Sequence, residues 1–441
     1  MAAPVIPPGS WWARTFEGKP LADALARRDF GVVFRFLRGS GWSVAALARA
    51  TGLGEFRIRE VAQGRRVITT FDVIARIVDG LEIPPELCGL AGRAIGSEVR
   101  GAAFPVPTRA QVTSSPESLT SLRIVLDAYD CPADGATRSL GALSTDVSAV
   151  VRLRLDSRYE QLGRVLPGLL PELTRAMMAQ TGQRRAEAAK LLVQAYRAAD
   201  AIADKLGLFD LSARIIGLMT WAAAESGDPL AVATAAYVRG EMFFASGDYA
   251  TGRRVMERAA DQLLPEASRG SAAAYGALHM RAAVLAGRGG DAVRAMAHVN
   301  EALDVAGGLS EGIYRGTVFG PASVQIHRLT LAVELQDVET ALAIAGTWTP
   351  PETLPAERRS HFFADAARAF ALGDAVPRAL EALQQARLTA PEQIRTNTEV
   401  LELVGSLVRG RRSMPLTEFA QWLGQVPGQR RSGSSVSEEI T

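Results

Sequence analysis

Ser43 to Gly64 reads SVAALARATGLGEFRIREVAQG, and its spacing, turn chemistry and charge agree on two short helices joined by a tight turn. Ser43 is placed to cap a helix whose inner face is Leu47 and Ala48. That helix must stop where Thr51 meets Gly52, because glycine adopts a left-handed backbone at little cost. Leu53 then fills the gap between the helices. A second helix starts near Glu55 and sets Ile58 and Val61 three apart, on the side that packs back against Leu47 and Ala48. Its outward side keeps Glu55, Phe56, Arg57, Arg59, Glu60 and Gln63, side chains long enough to reach base edges in a major groove. Gly64, Arg65 and Arg66 end it with a turn and two cations near phosphate height.

Working outward, Phe30 to Leu37 is an apolar helix that precedes the motif, and Gly41-Trp42 makes the turn into it. Phe71 to Leu81 is another amphipathic helix, closed by Ile83-Pro84-Pro85 and a short helix over Glu86 to Leu90. Helices in this order, with a Gly-Arg-Arg turn after the second motif helix and an Ile-Pro-Pro stop, resemble the Xre/Cro-like family of bacterial repressors over Asp29 to Leu90. The resemblance implies a five-helix DNA-binding bundle in which Glu55 to Gln63 enters the groove while Ser43, Arg49, Arg65 and Arg66 hold phosphates. Two positions depart from it. Val44 stands where such proteins often place a glutamine, and the recognition helix opens with Glu55 and Phe56. Glu55 could accept from a cytosine amino group or pair with Arg59 one turn later, and Phe56 could touch a thymine methyl.

Charge points to the same surface. From Arg27 to Arg66 there are nine arginines against Asp29, Glu55 and Glu60, so 9 − 3 gives +6, and the whole chain is only +2. A basic head on a mildly acidic body is the asymmetry of a DNA-binding domain carried by a regulatory one. Lysine occurs only at positions 19, 190 and 205, a codon signature of a GC-rich bacterial genome. Cys88 and Cys131 build no disulfide framework and fit a reducing compartment. Met1 to Gly9 lacks the basic start of a signal peptide, and no apolar run approaches a membrane span. The expectation is a cytoplasmic protein.

The rest of the chain divides as follows. Residues 1–20 are an arm whose Trp11 and Trp12 dock on the head or the body. Residues 21–91 are the head, and 92–116 a Gly/Pro-rich linker holding one short helix. Residues 117–427 read as helix throughout, with breaks of a few residues and no two-residue alternation that would make a sheet, and 428–441 are a disordered tail. Ala236 to Ala259 is a helix, a Gly247-Asp248-Tyr249 turn and a second helix, with small residues where the two approach. Ser360 to Pro391 repeats this around Gly373-Asp374, and weaker copies pass through Gly290-Asp291 and Asp337. These stretches resemble tetratricopeptide repeats, which implies an α-solenoid of stacked hairpins with a concave groove. Mapped through that resemblance, Tyr237, Glu241, Phe244, Met280, Gln325, His361 and Arg368 face the groove, a mixture suited to a peptide or small-molecule signal.

Chemistry for catalysis is missing. His279, His298, His327 and His361 have no paired cysteines or His-Glu spacing for a metal, and there is no nucleophile elbow or phosphate loop. Gly287 to Ala292 fits a dinucleotide loop in letters only, since it follows a helix and sits at a repeat turn. Taken together, the sequence predicts an all-α transcriptional regulator without cofactor or metal. Its partners would be double-stranded DNA, a second copy of itself in a homodimer and a signal in the groove; no membrane is expected. The alternative is a protein-interaction scaffold whose head no longer binds DNA.

Overall fold

The computed structural model describes residues 11–64, 68, 71–88, 116–410 and 413–424. The chain divides into two compact units, residues 1–110 with 402–441, and residues 111–401. Among the described residues the structure is almost wholly helical, and no helix is long and apolar enough to cross a membrane.

The first unit opens with a single 3₁₀ turn, Trp11–Ala13, and a small antiparallel pair, β1 (Thr15–Phe16) and β2 (Lys19–Pro20). Five helices follow: α1 (Leu21–Ala26), α2 (Phe30–Gly39), α3 (Val44–Thr51), α4 (Glu55–Ala62) and α5 (Phe71–Gly80). The expected short helix after Ile83-Pro84-Pro85 is a 3₁₀ turn, Pro85–Cys88. Trp11 is buried in the head core and stacks on Phe36, which settles where the tryptophan pair docks. Leu47, Leu53, Ile58 and Val61 are all buried together with it. Side chains of this size contribute about 1.5–3 kcal/mol each on burial, enough to lock α3 against α4.

The second unit begins with α6 (Pro116–Asp127), α7 (Leu140–Leu155), α8 (Tyr159–Met178), α9 (Gly182–Lys205) and α10 (Phe209–Ser226). Hairpins then follow: α11 (Pro229–Ser246) with α12 (Tyr249–Ala260), α13 (Arg269–Arg288) with α14 (Ala292–Ala306), α15 (Pro321–Glu334) with α16 (Val338–Thr347), and α17 (Ala356–Leu372) with α18 (Val376–Thr389). Local chemistry explains the repetition. Asp248, Asp291 and Asp337 each cap the second helix of a hairpin by accepting from a backbone N–H three residues on. Gly252 lets α12 approach α11, since a Cβ there would sit 2.6 Å from that of Phe243.

One element contradicts the expectation of helices alone. β3 (Gly312–Tyr314) and β4 (Thr317–Phe319) form an antiparallel hairpin between α14 and α15. Arg315 and Gly316 both take positive φ, 48° and 79°, the requirement of a two-residue turn whose twist matches its strands. Phe319 is fully buried against Gly276 of α13. The array also meets itself: Ser157 Oγ donates to Gln393 Oε1 at 2.7 Å and the Glu160 amide to Glu392 Oε2 at 3.0 Å. Gln393 and Glu392 lie on α19 (Pro391–Thr396), which is followed by α20 (Thr398–Gly410) and α21 (Met414–Trp422).

Candidate functional site

The head surface is built on α3 and α4. The Ser43 hydroxyl accepts from the Ala46 amide at 3.1 Å, so it starts α3, and Gly52 ends that helix in the left-handed conformation at φ 67°. From α2, Arg35 donates to the Ala62 carbonyl at 3.0 Å and pairs with Glu17. Its guanidinium therefore holds the last turn of α4, and Arg35 is drawn away from any ligand-facing role. Arg28 likewise donates to the Cys88 carbonyl.

With α4 fixed, Glu55, Phe56, Arg59 and Gln63 stand exposed on it, Phe56 at 70% exposure, and Arg49 is exposed at the end of α3. Arg57 and Glu60 are half-buried, a correction to the expectation that both point outward; they flank the buried Ile58 and Val61. Glu55 and Arg59 pair at 2.8 Å. Arg65 and Arg66 lie outside the described residues. A cleft lined by Arg27, Arg28, Asp29, Arg35 and Gly64 adjoins this surface.

A second candidate site lies inside the helical array of the second unit. Its lining comes from four helices: Tyr237, Glu241 and Phe244 from α11, Arg281 and Arg288 from α13, Thr330 and Glu334 from α15, and Glu357, Arg358, His361, Asp365 and Arg368 from α17. Two regions differ in charge. In one, Arg368 contacts Glu334 at 3.0 Å, Asp365 at 2.9 Å and Glu399 at 3.3 Å, and Arg288 reaches Glu334 and Glu399. In the other, the Tyr237 ring lies 4.1 Å from the Arg281 guanidinium and 5.4 Å from that of Arg197, and its hydroxyl is 3.3 Å from Arg358 Nη2. Burial alone would raise the Tyr237 hydroxyl, yet Arg281, Arg358 and Arg197 together pull it down to about 7. Burial and the neighbouring Arg154 bring Arg197 down to about 9.

No family model, curated protein or solved structure matches this chain. The two sites therefore stand on their own residues.

Of the groove residues expected from the sequence, Tyr237, Glu241, His361 and Arg368 converge in this recess, and Phe244 lies under the Arg281 and Arg288 guanidiniums. Met280 does not: at 1% exposure it belongs to the helix-packing core, one position before the Arg281 that faces inward. Gln325 also misses. The inward face of α15 carries Thr330 and Glu334, and Gln325 bonds Arg328 elsewhere on the helix. Arg197, Arg281 and Arg358 went unanticipated, as did the pair His279 and His298, whose Nδ1 atoms are 3.1 Å apart. The available signal was a charged residue set inside an alanine-rich helix, as in Tyr196-Arg197-Ala198-Ala199-Asp200. Among the described residues no group of three His, Cys, Asp or Glu could hold a metal ion.

Proposed function

We propose that the chain is a sequence-specific DNA-binding transcriptional regulator whose helical-repeat body receives a signal. The observation that carries the reading is α4: its inner side is locked by Ile58 and Val61, while Glu55, Phe56, Arg59 and Gln63 are exposed, as is Arg49 on α3. A helix held rigidly on one side, with polar reach on the other and cations close by, supports major-groove docking. The resemblance to Xre/Cro-like heads and tetratricopeptide-like bodies supports the same reading, with the cytoplasm as the proposed compartment. One such head offers few base contacts, so the working species is a homodimer on two half-sites.

In this mechanism Arg49, with Arg65 and Arg66 by sequence, contacts phosphates and sets register, while Arg59, Gln63 and Phe56 read base edges. Arg59 must first exchange Glu55 for a base, and that exchange gives Glu55 its own chance at a cytosine amino group. Fluorescence anisotropy of the full-length protein tests the reading, against its own upstream DNA and a shuffled duplex across a salt series. A steep salt slope with tighter binding to the native duplex is the expected result; weak, equal binding to both would refute it.

A second reading has an observation of its own. Phe56 is large, apolar and 70% exposed, and the neighbouring Glu55–Arg59 pair is already satisfied. Both features suit a protein partner, which would make the head a docking module on a scaffold.

A further inference from the structure

We propose that the floor of the recess in the second unit, formed by Arg197, Arg281 and Arg358 around Tyr237, binds the anionic group, a phosphate or a carboxylate, of a small-molecule signal. The inference rests on reading the body as a sensor and not on DNA binding by the head.

The geometry is one of buried cations with few carboxylates at ion-pair distance. Arg197 and Arg358 are 5% and 8% exposed, and among the described residues no carboxylate oxygen lies within 4.0 Å of either guanidinium. Arg197 Nη1 donates to the Thr317 hydroxyl at 2.8 Å, and Arg358 reaches only the Tyr237 oxygen. Arg281 has Glu241 at a long 3.5 Å and Arg154 has Glu357 at 3.7 Å. The Nε atoms of Arg358 and Arg154 are buried without an acceptor. Four guanidiniums thus share two carboxylates, at 3.5 and 3.7 Å, and the Tyr237 oxygen. The same array neutralises its other arginines closely, with three carboxylates on Arg368, so the excess is confined to the floor.

An unpaired buried charge costs several kcal/mol, and an anion that accepts from two or three guanidiniums in fork geometry recovers that cost as binding energy. Among the polar side chains of this array, His361 and Glu399 are the more exposed, at 35% and 38% against 13% for Arg281 and Arg368. Those two groups, with Glu241 and Lys205, would meet the remainder of the ligand. Tyr237 provides a signature: an anion that takes up the guanidinium charge must push the phenol back toward its neutral form.

The test is calorimetry on the full-length protein titrated with inorganic phosphate and, separately, with citrate, against sodium chloride at matched ionic strength, with the phenolate absorbance followed in parallel. Saturable binding of either anion that bleaches the phenolate band is expected, weakened about tenfold in Arg358→Gln and unaltered in Arg294→Gln on the outer surface. A response to phosphate alone assigns a phosphate-bearing signal, and to citrate alone a carboxylate. If Arg358→Gln does not fold, Arg281→Lys, which keeps the charge but loses the fork, gives the same reading. No saturable response to either anion beyond chloride, or equal affinity in these variants, overturns the proposal. Anion binding in a protein that ignores DNA would retain this inference and discard the regulator; DNA binding without an anion response would do the reverse.

Discussion

Gly80 of α5 lies directly over the Ala50 carbonyl of α3, so close that a Cβ on Gly80 would fall 1.8 Å from that oxygen. The atom in the way is backbone, which cannot swing aside like a side chain. Gly80→Ala must therefore push α5 off α3, at a cost of about 3 kcal/mol. Urea denaturation of the variant is expected to show a lower midpoint with the head affected first, and an unchanged midpoint would refute the close crossing.

Arg59 is exposed and tethered only to Glu55, so its removal should leave the fold intact. Under the regulator reading, Arg59→Ala costs about 1–3 kcal/mol of discrimination at one base position. Arg49→Ala, by contrast, should weaken all duplexes alike and reduce the salt slope by about 1. Anisotropy on native and shuffled duplexes separates the two effects; identical behaviour of both variants would remove the division between reading and anchoring.

Tyr237 should ionise far below an ordinary tyrosine. Its hydroxyl is pulled to about 7 in the folded protein, whereas unfolded tyrosine loses its proton near 10. Between those values the unfolded chain holds a proton that the folded one has lost, so stability rises with pH through this window and the gain disappears as pH falls through about 7. An absorbance titration should show one early phenolate, absent in Tyr237→Phe, and the variant's stability should gain less from pH 7 toward pH 10 than the parent's, a window of about three units.

Glu334, with a side chain only 2% exposed, is shared by Arg288 and Arg368. Glu334→Ala would leave Arg368 with Asp365 and Glu399, and Arg288 with Glu399 alone, so a loss of about 2–3 kcal/mol is expected. Adding Arg368→Met should restore part of it. A double variant that simply adds the two single losses would show that the network is not a unit.

The parts of the fold visible in sequence are those decided within a few residues. Ser43, the Thr51-Gly52 stop and the Ile58/Val61 pair act through i to i+4 geometry, and the aspartate caps of the hairpins are equally local. The Arg35 bond to Ala62 spans 27 positions and the Arg197 bond to Thr317 spans 120, so neither leaves a trace in local spacing. The β3–β4 hairpin was legible: Ile313-Tyr314-Arg315-Gly316-Thr317-Val318 carries a two-residue turn with glycine second, and the surrounding helical periodicity masked it. The mapping through the repeat resemblance chose, on α11 and α17, residues that the structure brings together in the recess. It failed on α13 by one residue, because a helix with alanine on nearly every side gives no apolar stripe to orient it, and Met280 was taken for Arg281.

The bonds from Ser157 and Glu160 to Gln393 and Glu392 have a kinetic meaning. Stacked hairpins ordinarily fray from their outermost members, since each touches only its neighbours. Here the α7–α8 turn is fastened to α19, so the helices between them are tied at both sides and peeling is opposed. The array should open as a single cooperative block, with amide protons of α7 and α17 exchanging at similar rates. A signal lodged at its centre would then be felt around the whole circuit at once.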